Sequence, residues 1–254
     1  MINKDKTILV AGAAGLLGLS LVKKLVSYEA NVIAIDVNIE DLNDRLTKIG
    51  INTKNSKVAL KQVNLTDKKA VINLFKDLKG LTGAVNCSYP RNENYGNHFY
   101  DVSLEDFNEN ISLNLGSSFL FMQQCAVYFA RSQEPFSLVN ISSVYGVVAP
   151  KFDIYNNTSM TMPVEYAAIK SGLLHLSKYV TKYVNDSKFR INSVSPGGIF
   201  NDQASSFLEA YKKQTFGKGM LDVTDVVGTI VYLLSENSAL VNGQNIIIDD
   251  GFSL

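Results

Sequence analysis

The stretch that decides the fold is Thr7 to Gly18, "TILVAGAAGLLG". A short β-branched and apolar run enters a glycine-rich turn, and the turn enters the helix-period segment 17–29. Gly12, Gly15 and Gly18 space the turn as Gly-x-x-Gly-x-x-Gly. Glycine is needed there for a tight turn and for close backbone approach to a pyrophosphate, whose charge sits on helix N-terminal N–H groups. The spacing alone is weak, because a chain with 17 glycines supplies such spacings by chance. Its place between strand and helix strengthens it, and so does Asp36, which closes the next apolar run "NVIAID". A carboxylate there accepts hydrogen bonds from adenosine ribose hydroxyls. It also repels a 2′-phosphate, so the expected cofactor is NAD rather than NADP.

The same alternation continues along the chain. Strand-like runs fall at 7–12, 31–36, 57–64, 83–88, 136–143, 190–196 and 244–250. Helix-period segments lie between them at 17–29, 38–48, 67–78, 104–131, 163–185 and 223–236. Strand alternating with helix means βαβ units and a parallel sheet with helices on both faces. The expected fold is therefore α/β, one doubly wound Rossmann-type sheet of about seven strands. No composition break marks a boundary, so residues 1–254 are expected to form a single domain. The 24 basic and 24 acidic residues balance, which gives no field favouring nucleic acid or an anionic membrane. No apolar run is long enough to span a bilayer, and the N-terminus lacks a signal-peptide pattern. A cytoplasmic location is expected. Two cysteines, Cys87 and Cys125, and two histidines, His98 and His175, argue against a disulfide framework or a metal site.

The chemistry is carried further along. Tyr166 and Lys170 are spaced to share one face of a helix beginning near Pro163. A free phenol has a pKa near 10; a nearby ammonium stabilises the phenolate and makes it a usable base. With 12 tyrosines such a spacing arises by chance, and an amphipathic surface pair has the same look. Three other stretches supply context: "NISLNLGSSF" (110–119), "VNISSVYG" (139–146) and "SPGGI" (195–199).

With these in order, the chain resembles the short-chain dehydrogenase/reductase family over nearly its whole length. The resemblance implies an NAD(P)-dependent oxidoreductase with an Asn114, Ser143, Tyr166, Lys170 tetrad. Tyr166 would be the general acid/base. Lys170 would bind the nicotinamide ribose and lower the tyrosine pKa. Ser143 would orient the carbonyl or alcohol, and Asn114 would complete a water-mediated proton relay. The implied cofactor set is Gly12, Ala14, Gly15, Leu16, Leu17, Gly18, Asp36, Asn64, Leu65, Asn86, Cys87, Ser88, Ile141, Tyr166, Lys170, Pro196, Gly197 and Ile199. The chain departs from the family pattern in four places. Gly15 comes one position early, as in the longer branch acting on nucleotide sugars. Asn86-Cys87-Ser88 replaces Asn-Ala-Gly, and Asn64 replaces an aspartate. Ser143 and Tyr166 stand 23 positions apart, ten more than is usual.

The extra residues fall in "APKFDIYNNTSMTMP", beside Tyr166. Asn156, Asn157, Thr158 and Ser159 carry groups suited to a polyhydroxylated ligand, with Tyr155, Met160 and Met162 able to pack beneath it. A surface excursion without ligand contact is the other reading of that loop. Arg91 and His98 in the loop 89–101 are further substrate candidates. Segment 201–220 falls where the family carries a substrate lid; its Lys212 and Lys213 are read as a solvated face. "NCSYPRN", the insertion and "NGQNIIIDDGFSL" also resemble a bacterial group within the family, the flagellin modification proteins. That implies a small-molecule substrate derived from a sugar (a hexose phosphate, amino sugar or sugar nucleotide) in the making of nonulosonic acids for flagellin glycans. Family resemblance further implies a homotetramer or homodimer through the helices near 104–131 and 163–185. Two other functions stay open on sequence alone: a non-catalytic dinucleotide sensor, and an epimerase or dehydratase that returns NAD to its starting state.

Overall fold

The computed structural model describes residues 2, 4–54, 57–156 and 158–254. Seven parallel strands make one sheet: β1 (Thr7–Ala11), β2 (Asn31–Asp36), β3 (Val58–Gln62), β4 (Gly83–Asn86), β5 (Phe136–Ile141), β6 (Phe189–Pro196) and β7 (Asn245–Ile248). Their spatial order is β3-β2-β1-β4-β5-β6-β7, the doubly wound arrangement expected. The helices are α1 (Leu16–Ser27), α2 (Ile39–Lys48), α3 (Lys68–Asp77), α4 (Leu104–Asn110), α5 (Ser117–Ser132), α6 (Val164–Val184), α7 (Ser205–Lys212) and α8 (Val223–Leu234).

Burial explains why the strands read as continuous apolar runs. In β4 and β6 every residue is buried, as both faces of a parallel sheet are covered by helices. The alternation of β1 shows the two sides. Ile8 and Val10 enter a core with Leu21 and Leu25 of α1, Leu42 of α2 and Ile230 of α8. Leu9 and Ala11 enter the opposite core with Phe75 of α3, Phe121 and Phe129 of α5 and Leu173 of α6. Strands β3 and β7, at the two edges, are only partly buried.

Local capping sets where the helices begin. Asp67 accepts from the N–H groups of Lys69 and Ala70 at the start of α3, and Asn38 accepts from Asp41 N at the start of α2. The helical pattern at 104–131 is one rod in three parts. Between α4 and α5 lies a π-helical stretch, Ile111–Gly116, with helical dihedrals at both junctions. Such wide turns recur at functional sites, and Asn114 sits in this one.

Topology puts the crevice in place. The chain winds β1, β2, β3 outward, then returns to lay β4 on the other side of β1. Ala11 is in register with Ile35 on one side and with Asn86 on the other. Gly12, Asp36 and Cys87 therefore leave the sheet together, at the carboxyl ends where open α/β sheets bind ligands. A third, smaller apolar cluster caps this end. It joins Tyr145, Ile154, Phe207, Tyr211 and Phe252. Helix α7 supplies two of these, from a segment without helical periodicity in sequence; eight residues with one i,i+4 aromatic pair are too short to show one.

Candidate active site

The turn after β1 is shaped for close approach. Gly12 has φ +71, and a Cβ there would stand 2.7 Å from Ser88 N. A Cβ on Gly18 would overlap Gly12 O and stand 2.9 Å from Ala13 Cα. Helix α1 begins at Gly15 with no side-chain cap and no acidic residue in its first turn. Its first N–H groups thus remain for an anion, with the positive end of the helix behind them. Asp36 holds the turn from the other side: its Oδ2 accepts from Ala14 N at 2.9 Å and its Oδ1 from Val37 N at 2.8 Å. A cleft of about 420 Å³ runs past Gly12, Ala14, Gly15, Asp36, Asn64 and Leu65. Arg45 also lines it, but its Nε is bonded to Asp41 Oδ2 at 2.8 Å. Among the described lining residues, Asp36 leaves the surplus charge negative. These features fit a dinucleotide: an uncapped helix start for the pyrophosphate and a carboxylate for a ribose.

The second half of the crevice has a volume of about 360 Å³ and shares Cys87, Ser88 and Tyr89 with the first. Leu17, Ile141, Ser143, Tyr166, Lys170, Pro196, Gly197 and Ile199 line it. Asn86 is buried behind the shared wall. It donates to Ser118 Oγ at 3.3 Å and accepts from Ser88 Oγ at 2.6 Å. Leu16 opens α1 beside Leu17 and is largely exposed.

Ser143, Tyr166 and Lys170 meet at the reacting end. Ser143 lies two residues past β5 and caps a short 3₁₀ turn, its Oγ accepting from Tyr145 N at 3.1 Å. A bond from Ser142 Oγ to the Lys170 carbonyl, 2.9 Å, ties that turn to α6. Lys170 is buried and donates from Nζ to the Ile141 carbonyl at 2.8 Å. Burial pushes its ammonium down to about 8, opposed by the nearby Cys87 sulfur. Burial likewise raises the Tyr166 phenol above its ordinary value, and the hydrogen bond with Ser143 works against that. The depression expected from Lys170 does not offset burial. The ammonium lies 5.6 Å from the centre of the Tyr166 ring and is engaged with a carbonyl. Desolvation pushes the Cys87 thiol up to about 12, so it stays protonated and is no nucleophile. Asn114 is buried and donates from Nδ2 to Pro90 O at 3.4 Å.

This constellation has relatives. A family profile described as enoyl-(acyl carrier protein) reductase matches residues 12–253. The post-translational flagellin modification protein A of Campylobacter coli is 37% identical over 256 residues, covering 99% of both chains. The chain belongs to the short-chain dehydrogenase/reductase family. A solved short-chain dehydrogenase from Leptospira borgpetersenii serovar Hardjo-bovis, with bound NAD+, superposes with a TM-score of 0.86 at 30% identity, covering 99% of this chain and 94% of that one. A 4-hydroxyisoleucine dehydrogenase complexed with NADH gives 0.82 at 25% identity, covering 97% and 98%. This dehydrogenase/reductase is an oxidoreductase that uses a nicotinamide dinucleotide.

Other sequence-predicted residues divide between the crevice and the surface of the short-chain dehydrogenase/reductase. From the insertion, Tyr155, Met160 and Met162 line the reacting end. Asn156 is exposed and outside the lining, and Asn157 lies outside the described residues. Arg91 is also exposed: its guanidinium stacks 5.3 Å from the Tyr89 ring and 6.0 Å from the Tyr95 ring. Lys212 and Lys213 are exposed too, as a solvated face requires. Sequence reading passed over Tyr89, Tyr145, Phe207 and Tyr211, all of which line the reacting end. Tyr89 packs edge-on against Tyr166 at 5.7 Å and lies over the Lys170 ammonium at 5.4 Å. Its place directly after Asn86-Cys87-Ser88 was the available signal.

Proposed function

We propose that this chain is an NAD-dependent dehydrogenase acting on a secondary alcohol or ketone of a sugar phosphate, amino sugar or sugar nucleotide, within nonulosonic-acid and flagellin-glycan biosynthesis. The observation that carries the chemistry is the meeting of Ser143, Tyr166 and Lys170 at one end of a crevice whose other end carries the glycine turn and Asp36. The sugar-related substrate rests on likeness to the Campylobacter protein. Gly12 to Gly18 receive the pyrophosphate, Asp36 the adenosine ribose, and Asn64 and Leu65 the adenine side. Lys170 holds the second ribose, with Pro196, Gly197 and Ile199 flanking the nicotinamide, which when bound accepts or supplies the hydride. Ser143 orients the substrate oxygen. Tyr166 takes the carbinol proton in oxidation and returns it in reduction. Asn114, in the wide helical turn, completes the proton path to solvent. Cofactor and substrate share one domain, placed in the cytoplasm; among the described residues no helix is long and apolar enough to cross a membrane.

A panel of phosphorylated, amino and nucleotide-linked sugars with NAD, followed by NADH formation and product mass, tests the reaction. NADH accumulating with loss of two hydrogens from one sugar is the expected result. An isomerised product without NADH supports transient redox instead, and binding of NADH without any turnover supports a sensor. For the cofactor, Asp36→Ser is expected to raise NADP affinity relative to NAD by at least about tenfold, a shift of ~1.4 kcal/mol. Tight NADP binding by the unaltered protein refutes the role given to Asp36.

The protein is further proposed to be a homodimer or homotetramer through α5 and α6. Phe119, Val127, Tyr179 and Tyr183 are all more than a third exposed along a groove between these helices. Val127→Glu with Tyr183→Glu is expected to lower the mass seen in sedimentation. A monomeric unaltered protein contradicts the assembly.

A further inference from the structure

Charge is distributed unevenly around the crevice. At the reacting end Lys170 is the one cationic side chain among the described lining residues, and no carboxylate lines it. That ammonium is engaged with the Ile141 carbonyl and lies over the rings of Tyr89 and Tyr166. Neighbouring cations are turned elsewhere. Lys151, at the start of the insertion, places its ammonium 4.7 Å from the centre of the Phe252 ring. Arg91, Lys212 and Lys213 are exposed outside the lining.

The walls are aromatic rings and thioethers. The insertion contributes Tyr155, Met160 and Met162, which pack with Tyr145, Phe207 and Met220. The phenols stay protonated at neutral pH: burial pushes Tyr155 up to about 12 and raises Tyr145 and Tyr211 as well. Tyr155 OH donates to Tyr145 OH at 3.4 Å, and Tyr145 N donates to Ser143 Oγ at 3.1 Å. The insertion therefore reaches the substrate-orienting serine through a single residue. Tyr211 OH accepts from Gly198 N at 2.6 Å and fixes the α7 wall.

Resting on the sugar-dehydrogenase reading above, we propose that insertion 151–163 makes the reacting end an uncharged aromatic–thioether slot, which takes a neutral, methyl-bearing sugar ring (deoxy or N-acyl) and keeps any phosphate or carboxylate outside. An anion entering such a slot loses its water and meets no free cationic side chain, which is unfavourable. A neutral ring meets aromatic faces below and phenol hydroxyls at its edge. Methionine is flexible and polarizable, and so adapts to a methyl or acetyl group. Tyr155 acts here as a positioning residue, through Tyr145, on Ser143.

The test compares matched sugars on the full-length protein with NAD. Each pair holds a 6-deoxyhexose or N-acetylhexosamine against the uronic acid of the same ring configuration, free and nucleotide-linked. The expected kcat/KM favours the neutral member by at least about a hundredfold, as for a buried charge left unpaired. Uronic acids turned over as well as their neutral partners would overturn this inference while leaving the dehydrogenase intact. Absence of turnover for every sugar, with NADH still bound, instead overturns the sugar-dehydrogenase reading on which it rests. Two variants locate the effect. Met160→Lys is expected to narrow the neutral preference at least about tenfold, because a cation then meets the carboxylate. Tyr155→Phe keeps the ring and is expected to lower kcat on neutral sugars about tenfold with NADH affinity unchanged, as for one lost hydrogen bond. Unchanged preference in the first variant and unchanged kcat in the second count against the slot.

Discussion

Tyr166→Phe is expected to lower turnover at least about a hundredfold, the range for a general acid/base, while NADH binding persists. The phenylalanine ring preserves the packing against Tyr89 and beneath the Lys170 ammonium. Only the hydroxyl, with its bond to Ser143, is lost. The pH profile separates a chemical role from a structural one. Oxidation of an alcohol needs the phenolate, and burial raises this phenol. The oxidation rate should therefore climb as pH rises into the alkaline range. Reduction needs the phenol, which is already protonated at neutral pH, so its rate should stay level there and fall as pH rises. Lys170, pushed down to about 8, loses its proton before the phenol, which burial holds above its ordinary value. The rising limb is therefore assigned to the phenol. The variant should lose that limb. Near-complete activity in Tyr166→Phe, or a limb that survives it, removes Tyr166 from the chemistry.

The second large effect belongs to the glycine turn. Gly18→Ala is expected to cost about 2–4 kcal/mol of stability, the range for a clash that cannot relax, and to weaken NADH binding at least about a hundredfold, ~2.7 kcal/mol. The added carbon meets only backbone: Gly12 O and C and Ala13 Cα. That backbone has no room to yield, because Gly12 N and Ala13 N are both bonded to Ile35 O and Ala14 N to Asp36. Opening the turn displaces the carboxylate proposed for the ribose as well as the N–H groups proposed for the pyrophosphate. Gly15→Ala is the control. Its Cβ would stand 3.3 Å from Gly12 O, tight but tolerable after a small shift. Thermal unfolding and NADH fluorescence titration of the two variants should rank them clearly. Equal behaviour would show that the close approach at Gly18 is not what shapes the site.

The fold was legible because its signals are local. Each strand announced itself as a β-branched run ended by a turn, and each long helix by its period. The proposed tetrad was read from its order, and the added spacing between Ser143 and Tyr166 does not keep Ser143, Tyr166 and Lys170 from meeting. The extra residues loop out between a strand end and a helix start, while Ser142 Oγ still bonds the Lys170 carbonyl. The pocket walls were only half legible. Tyr155, Met160 and Met162 line the crevice, but Arg91 and Asn156 face solvent. Polar residues in an aperiodic loop look alike in sequence whether they meet a ligand or water. Burial by distant elements separates them.

Taken alone, the sequence determined the element types, the parallel sheet, the glycine turn with Asp36 after it, and the order of Asn114, Ser143, Tyr166 and Lys170. These depend on backbone preference and on residues within a few turns of one another. Tertiary structure decided what the reacting end is made of. Tyr89, Tyr145, Tyr155 and Tyr211 come from four separate segments, and Phe252 stacks 4.5 Å from Tyr211 across a gap of 41 positions. The same packing shifted the acidities of the site, since burial raised Tyr166 and lowered Lys170. Desolvation is a property of everything packed around a group, and no short window of sequence contains it.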